Sequence, residues 1–233
     1  LRDAEDLGMG SMKVSEILKY SSNIGAVKIA GALGGAKPFD KWIHRFGFGQ
    51  PTGVAIPGEE QGIVLDLDDY SGSTMGNLPL GPGLSVTPMQ MIAGYTAIAN
   101  GGRLRPPQLI KRIGEEPVHE PRGRRVISPE VAAEVREMLE GVLAPGGTAS
   151  EVSVPGYTLA GKTGTAQVAE DGEYSETKYV ASFVGFAPAQ NPQLLVAVVV
   201  DQPQGEIYGG TVAAPAFGEI ATFALPYLGV APE

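Results

Sequence analysis

Cysteine is absent from the 233 residues, which excludes a disulfide framework, a thiolate metal site and a cysteine nucleophile. Histidine is nearly as scarce, with 2 in the chain. His44 and His119 have no ligand-spaced partner, so both read as structural or solvated, and no metal or cofactor is expected. Positive charge is also short: 17 Lys and Arg against 26 Asp and Glu give a formal charge of -9. Such a surface repels phosphate backbones, which argues against a nucleic-acid partner. No apolar run approaches the ~18 residues of a membrane span; the longest, QLLVAVVV, has strand length. The chain opens on LRDAEDLGMG, without a methionine or a signal-peptide pattern. The expectation is a start part-way along a longer gene product.

What is present reads as one folded domain over residues 1–233, with 43% hydrophobic and 18% charged residues. Met12 to Gly35 shows helical spacing on either side of YSSN, and AKPFDKWIHRFGFG gives a further helix, with Trp42 and Phe46 one turn apart. A long Gly- and Pro-rich stretch follows, of the kind that is functional more often than idle. Thr87-Pro88 and Ser128-Pro129 each open another helix, the second ended by Pro145-Gly146-Gly147. From Tyr157 the period changes. GYTLAGKTGTAQVA, YVASFVGFAP and QLLVAVVVDQP read as three strands, the first two a hairpin tipped by the acidic loop EDGEYSE. The last stretch, TVAAPAFGEIATFALPYLG, reads as a helix covering one face of the sheet. Three strands are few for so many helices, which points to further strands upstream.

Two short stretches carry chemistry. In LAGKTGTAQVA, strand alternation sets Thr163 and Thr165 on one face and Lys162 and Gly164 on the other, with Gly164 clearing space for a close backbone. Two hydroxyls beside an ammonium make a receptor for a carboxylate; a polar surface strand is the competing reading. In YSSNIG, Ser21 or Ser22 could simply cap the helix that begins near Ile24. Together, a Ser-x-Asn upstream and a Lys-Thr-Gly on a later strand are two of the three signatures of serine acyltransferases such as penicillin-binding proteins and class A β-lactamases.

On these motifs, and on GFGQPTGVAIPGE, LSVTPMQMIAGYTAIANGG, YVASFVGFAP and YGGTVAAPAFGEI, the chain resembles the transpeptidase domain of class B penicillin-binding proteins of the division type. The resemblance runs over essentially the whole chain. It implies an α+β fold of the penicillin-binding protein and serine β-lactamase type, an antiparallel sheet flanked by helices, with its N-terminal part missing. It implies a D,D-transpeptidase acting on peptidoglycan stem peptides ending in D-Ala-D-Ala, and acylated by β-lactam antibiotics. Ser21 would relay a proton to the leaving amine, and Asn23 would bond the substrate amide and steady the catalytic lysine. Lys162 would touch Ser21, Thr163 and Thr165 would grip the substrate carboxylate along the Lys162-Thr163-Gly164 strand, and the Thr165 N–H would form one arm of the oxyanion hole. Division or cell-wall synthesis proteins would be partners, at the extracytoplasmic face of the membrane, with an anchor upstream.

The third signature, a nucleophilic Ser-x-x-Lys ahead of YSSN, is not in the chain. Its single Ser-x-x-Lys is Ser175 to Lys178, placed by the pattern in the hairpin-tip loop, a poor support for a nucleophile. The 233 residues alone are therefore expected to be inactive. Two other readings stand beside this one: a noncatalytic sensing or partner-binding module of the same fold, and a serine β-lactamase. The second is disfavoured because no Glu-x-x-x-Asn places a deacylating glutamate.

Overall fold

The structure, a computed structural model, describes residue 3 and residues 10–170 and 173–233. Most of the opening stretch and the centre of the EDGEYSE tip lie outside the described residues. The polar break in the first helical segment is real. Helix α1 (Val14–Tyr20) ends at Ser21 and α2 (Asn23–Ala32) starts two residues later, followed by α3 (Ala36–Arg45). Gly25 lets the first two pack closely, since a Cβ there would lie 2.6 Å from Ile17 Cγ1.

The Gly- and Pro-rich stretch carries a short ribbon, β1 (Ile63–Val64) against β2 (Leu84–Ser85), and the one-turn helix α4 (Thr74–Asn77). Gln90, buried in α5 (Pro88–Ala99), staples it. Its amide donates to the carbonyls of Gln50 at 2.9 Å and Gln61 at 2.8 Å, and its oxygen accepts the Thr87 N–H at 2.9 Å. The buried amide is thereby satisfied, as burial requires. Two more ribbons organise the turn-rich basic segment: β3 (Arg103–Leu104) with β6 (Arg124–Arg125), and β4 (Arg112–Ile113) with β5 (Glu116–Pro117).

After α6 (Pro129–Glu140) come β7 (Ala160–Glu170), β8 (Glu173–Ala187) and β9 (Leu194–Asp201), then α7 (Gly209–Val212) and α8 (Ala214–Tyr227). The sheet is antiparallel in the order β7-β8-β9, so β7 and β9 are its edges among the described residues. Alternation along β8 sends its phenylalanines to opposite sides. Phe183 packs on Phe217 of α8 with ring centroids 4.9 Å apart. Phe186 joins Ala160 and Leu139 of α6, with Tyr95 and Ile98 of α5 against them. Both rings are fully buried, each worth roughly 1.5–3 kcal/mol of transfer free energy. The result is a sheet with helices on both faces, as the α+β expectation required. No helix among the described residues is long and apolar enough to cross a membrane.

Two expected boundaries move. The first sheet strand begins at Ala160 rather than Tyr157, because the lead-in is engaged elsewhere: Tyr157 bridges Val154, and its hydroxyl donates to the Val230 carbonyl at 2.7 Å. The acidic segment is also more ordered than a loop. Strand β8 starts at Glu173, so Ser175 to Lys178 lies on a strand, and the expectation of a loop there is corrected.

Candidate active site

The two serines of YSSN divide the roles that the sequence left open. Ser22 is the helix cap: its Oγ accepts the Gly25 N–H at 3.0 Å and donates to the Asp3 carboxylate at 3.1 Å. Ser21 ends α1 in the left-handed region, at φ 55 and ψ 44, a conformation that a non-glycine residue adopts at a cost. That turn points an exposed Ser21 hydroxyl away from both helices and toward the β7 edge.

There it meets Lys162. The ammonium donates to Ser21 Oγ at 2.8 Å across 141 residues of sequence. It also donates to the Thr163 carbonyl at 3.1 Å and reaches Thr163 Oγ1 at 3.4 Å. Alternation starts Lys162 and Thr163 on opposite faces of β7, but the four-carbon stem is long enough to return the charge to the threonine. All three acceptors are neutral, and no ion pair to Lys162 is found among the described residues. Desolvation of the half-buried ammonium therefore pushes its pKa down from 10.5 to about 8.

Both threonine hydroxyls have partners of their own. Thr163 Oγ1 is 2.9 Å from the hydroxyl of Thr148, and Thr165 Oγ1 accepts the Gly209 N–H at 3.1 Å. Since Thr165 accepts from the backbone, its own O–H remains to be donated. Gly164 is required twice. A Cβ there would lie 2.4 Å from Ser182 Oγ on β8, and Gly209 approaches so closely that its own Cβ would sit 2.4 Å from the Gly164 carbonyl. Asn23, the first residue of α2, is half-buried at the same helix junction, two positions on from Ser21. The structure thus joins Ser21, Lys162 and Thr163, with Thr165 two residues further along β7.

Two contributors escaped the sequence reading. Gly209, at the start of α7, supplies the N–H donor to Thr165. Thr148 carried no signal beyond following a helix stop. By contrast, Ser175 and Lys178 do not form a nucleophile and base. Ser175 Oγ accepts the backbone N–H groups of Thr177 and Lys178, and the Lys178 ammonium is paired with the Glu170 carboxylate at 2.6 Å.

Residues 3–222 match the family model described as the penicillin binding protein transpeptidase domain. The chain is 42% identical, over 97% of its length, to stage V sporulation protein D of Bacillus subtilis (strain 168), covering 36% of that relative. It is 34% identical, over 95% of its length, to the probable peptidoglycan D,D-transpeptidase PenA of Neisseria gonorrhoeae, covering 37% of it. The chain thus spans little more than a third of these curated relatives. Among solved structures, the transpeptidase domain of penicillin-binding protein 3 from Burkholderia pseudomallei superposes with a TM-score of 0.87 at 39% identity, covering 97% of this chain and 67% of that one. Penicillin-binding protein 3 of Mycobacterium tuberculosis, complexed with ampicillin, gives 0.90 at 35% identity, covering 100% of this chain and 55% of that one.

Proposed function

This chain belongs to the penicillin binding protein transpeptidase family, and from that premise and the β7 edge we propose that it forms the substrate-gripping and proton-relay part of a peptidoglycan D,D-transpeptidase. The observation that carries the reading is the 2.8 Å bond from Lys162 to Ser21 at an edge strand open to an added peptide. A stem peptide lies along β7 as a further antiparallel strand. Its terminal carboxylate takes the hydrogens of the Thr163 and Thr165 hydroxyls in the field of Lys162.

In acylation a serine oxygen adds to the carbonyl of the penultimate D-alanine, and the Thr165 N–H stabilises the oxyanion. The bond to the terminal D-alanine nitrogen then breaks. The proton lost by the nucleophile reaches that nitrogen through Ser21, which passes on its own hydrogen as it accepts another. Because Lys162 already donates to Ser21 Oγ, the Ser21 hydrogen is left facing the leaving group. Asn23 holds the substrate amide. An acceptor amine then attacks the ester, closes the cross-link and frees the serine. A β-lactam follows the first half of this path, but its amine stays tethered and the ester persists.

In this proposal the acylated serine comes from outside the 233 residues, because Ser175 stands on the exposed far stretch of the hairpin with its lysine ion-paired to Glu170. The same reading places the activity at the outer face of the bacterial membrane, beside other proteins of cell-wall synthesis. Fluorescent penicillin tests it. The protein expressed from its complete gene should take a denaturation-resistant label, and residues 1–233 alone should take none. An adduct on the short chain, mapped to Ser21 or Ser175, would overturn the assignment.

A further inference from the structure

Helix α6 stops at Glu140, and the turns after it deliver Thr148. Those turns are tight: a Cβ at Gly147 would lie 2.2 Å from the Val142 carbonyl. Three parts of exposed Thr148 then contact three different elements. Its N–H donates at 3.3 Å to the carbonyl of Lys19, in the last turn of α1, where no helical partner exists. Its hydroxyl meets that of Thr163 at 2.9 Å. Its carbonyl is packed so closely on α7 that a Cβ at Gly210 would sit 1.9 Å away. A second tie to the same loop comes from the Lys19 ammonium, which donates to the Pro145 carbonyl at 2.8 Å.

These contacts close a ring. Lys162 bonds Ser21, the chain runs back from Ser21 to Lys19, Lys19 accepts from Thr148, and Thr148 meets Thr163, the neighbour of Lys162. The direction of the hydroxyl pair decides what the ring does. A hydroxyl has one hydrogen to give. If Thr163 spends it on Thr148, the strand turns an oxygen lone pair toward an arriving carboxylate. With Thr148 as donor, the Thr163 hydrogen is free for the anion.

We propose that Thr148 is a positioning residue of the carboxylate site: with ligand bound, its O–H donates to Thr163 Oγ1 and turns the Thr163 hydrogen onto the carboxylate, while its N–H fixes the α1 end that carries Ser21. Only hydroxyl rotors move. The inference rests on the reading of β7 as the carboxylate-binding strand.

The test uses the protein expressed from its complete gene, acylated by benzylpenicillin and by its methyl ester, and reads the ratio of the two acylation constants. Both ligands meet the same sample, so any loss of folded protein cancels. Thr148→Val, which keeps the N–H and the branched shape, should lower the acid-over-ester ratio about fivefold, the worth of one neutral hydroxyl–hydroxyl hydrogen bond. Thr148→Ser should restore it, and the Thr148→Val, Thr163→Val double variant should fall no lower than Thr163→Val alone. An unchanged ratio for Thr148→Val, or equal losses on acid and ester, overturns the positioning role while a low ratio for Thr163→Val leaves the carboxylate site standing. If Thr163→Val itself leaves the ratio unchanged, the site reading falls and the Thr148 role falls with it.

Discussion

A serine and a lysine meet near each end of the β7-β8 hairpin, Ser21 coming from the end of α1, and the two pairs behave oppositely. Ser175 and Lys178 are close in sequence, yet the serine takes only the Lys178 backbone N–H, and the ammonium pairs with Glu170 at 2.6 Å on an exposed surface. Ser21 and Lys162 are 141 residues apart, yet they bond at 2.8 Å. There, among the described residues, the ammonium has only neutral partners, and its pKa is held near 8. The contrast shows that residue type and spacing do not make a reactive pair. What matters is that the fold strips solvent from the lysine and, among the described residues, sets no carboxylate against it.

The largest effect should come from breaking the Ser21–Lys162 pair in the protein made from its complete gene. Lys162→Ala or Ser21→Ala is expected to slow acylation by penicillin by roughly two to three orders of magnitude, as loss of a proton relay or a charge-stabilising group does. Lys178→Ala should leave that rate unchanged. A stopped-flow measurement of both decides whether the two pairs differ as described.

Titration should sharpen the contrast next. Because the folded pKa of Lys162 lies below that of the unfolded chain, the unfolded state holds more protons between pH 8 and 10.5, so this group makes stability rise with pH across that window. Below it both states are charged and the desolvation penalty is fully felt. The gain, allowing for partial exposure, should be on the order of 1–2 kcal/mol. It would be read as the difference in melting between the native chain and Lys162→Met from pH 7.5 to 10.5.

Smaller effects separate the neighbouring serines. Ser22→Ala should cost about 1 kcal/mol of stability in denaturant unfolding, through loss of the α2 cap, while acylation stays within a few-fold of native. Ser21→Ala should show the reverse pattern. Smallest of all, Lys178→Ala should change stability by at most about 0.5 kcal/mol, an effect that fades in high salt.

Much of this was legible in the sequence because it follows local rules. The helix break at YSSN, the Thr87 and Ser128 caps and the hairpin rest on short-range patterns and turn chemistry. The pairing of Ser21 with Lys162 was reached by resemblance, since no local pattern links residues so far apart. Two things stayed hidden for a physical reason. Ser21 and Ser22 have the same side chain, and only the left-handed backbone at Ser21, φ 55, sends one to the cleft and the other to the cap. Thr148 gains its role from three elements that meet only in the folded state, so its sequence neighbours announce a turn and nothing more.

The far side of the sheet has a practical consequence. Strand β9 has a partner on one side only among the described residues, and it is an uninterrupted LLVAVVVD with Val199 46% exposed. It contains no proline, and no charge before its last residue, to blunt the free edge, the usual devices against strand addition. Concentrated solutions of residues 1–233 should therefore self-associate edge to edge, with light scattering that rises with protein concentration. A lysine substituted for Val199 should act as a gatekeeper and keep the chain dispersed.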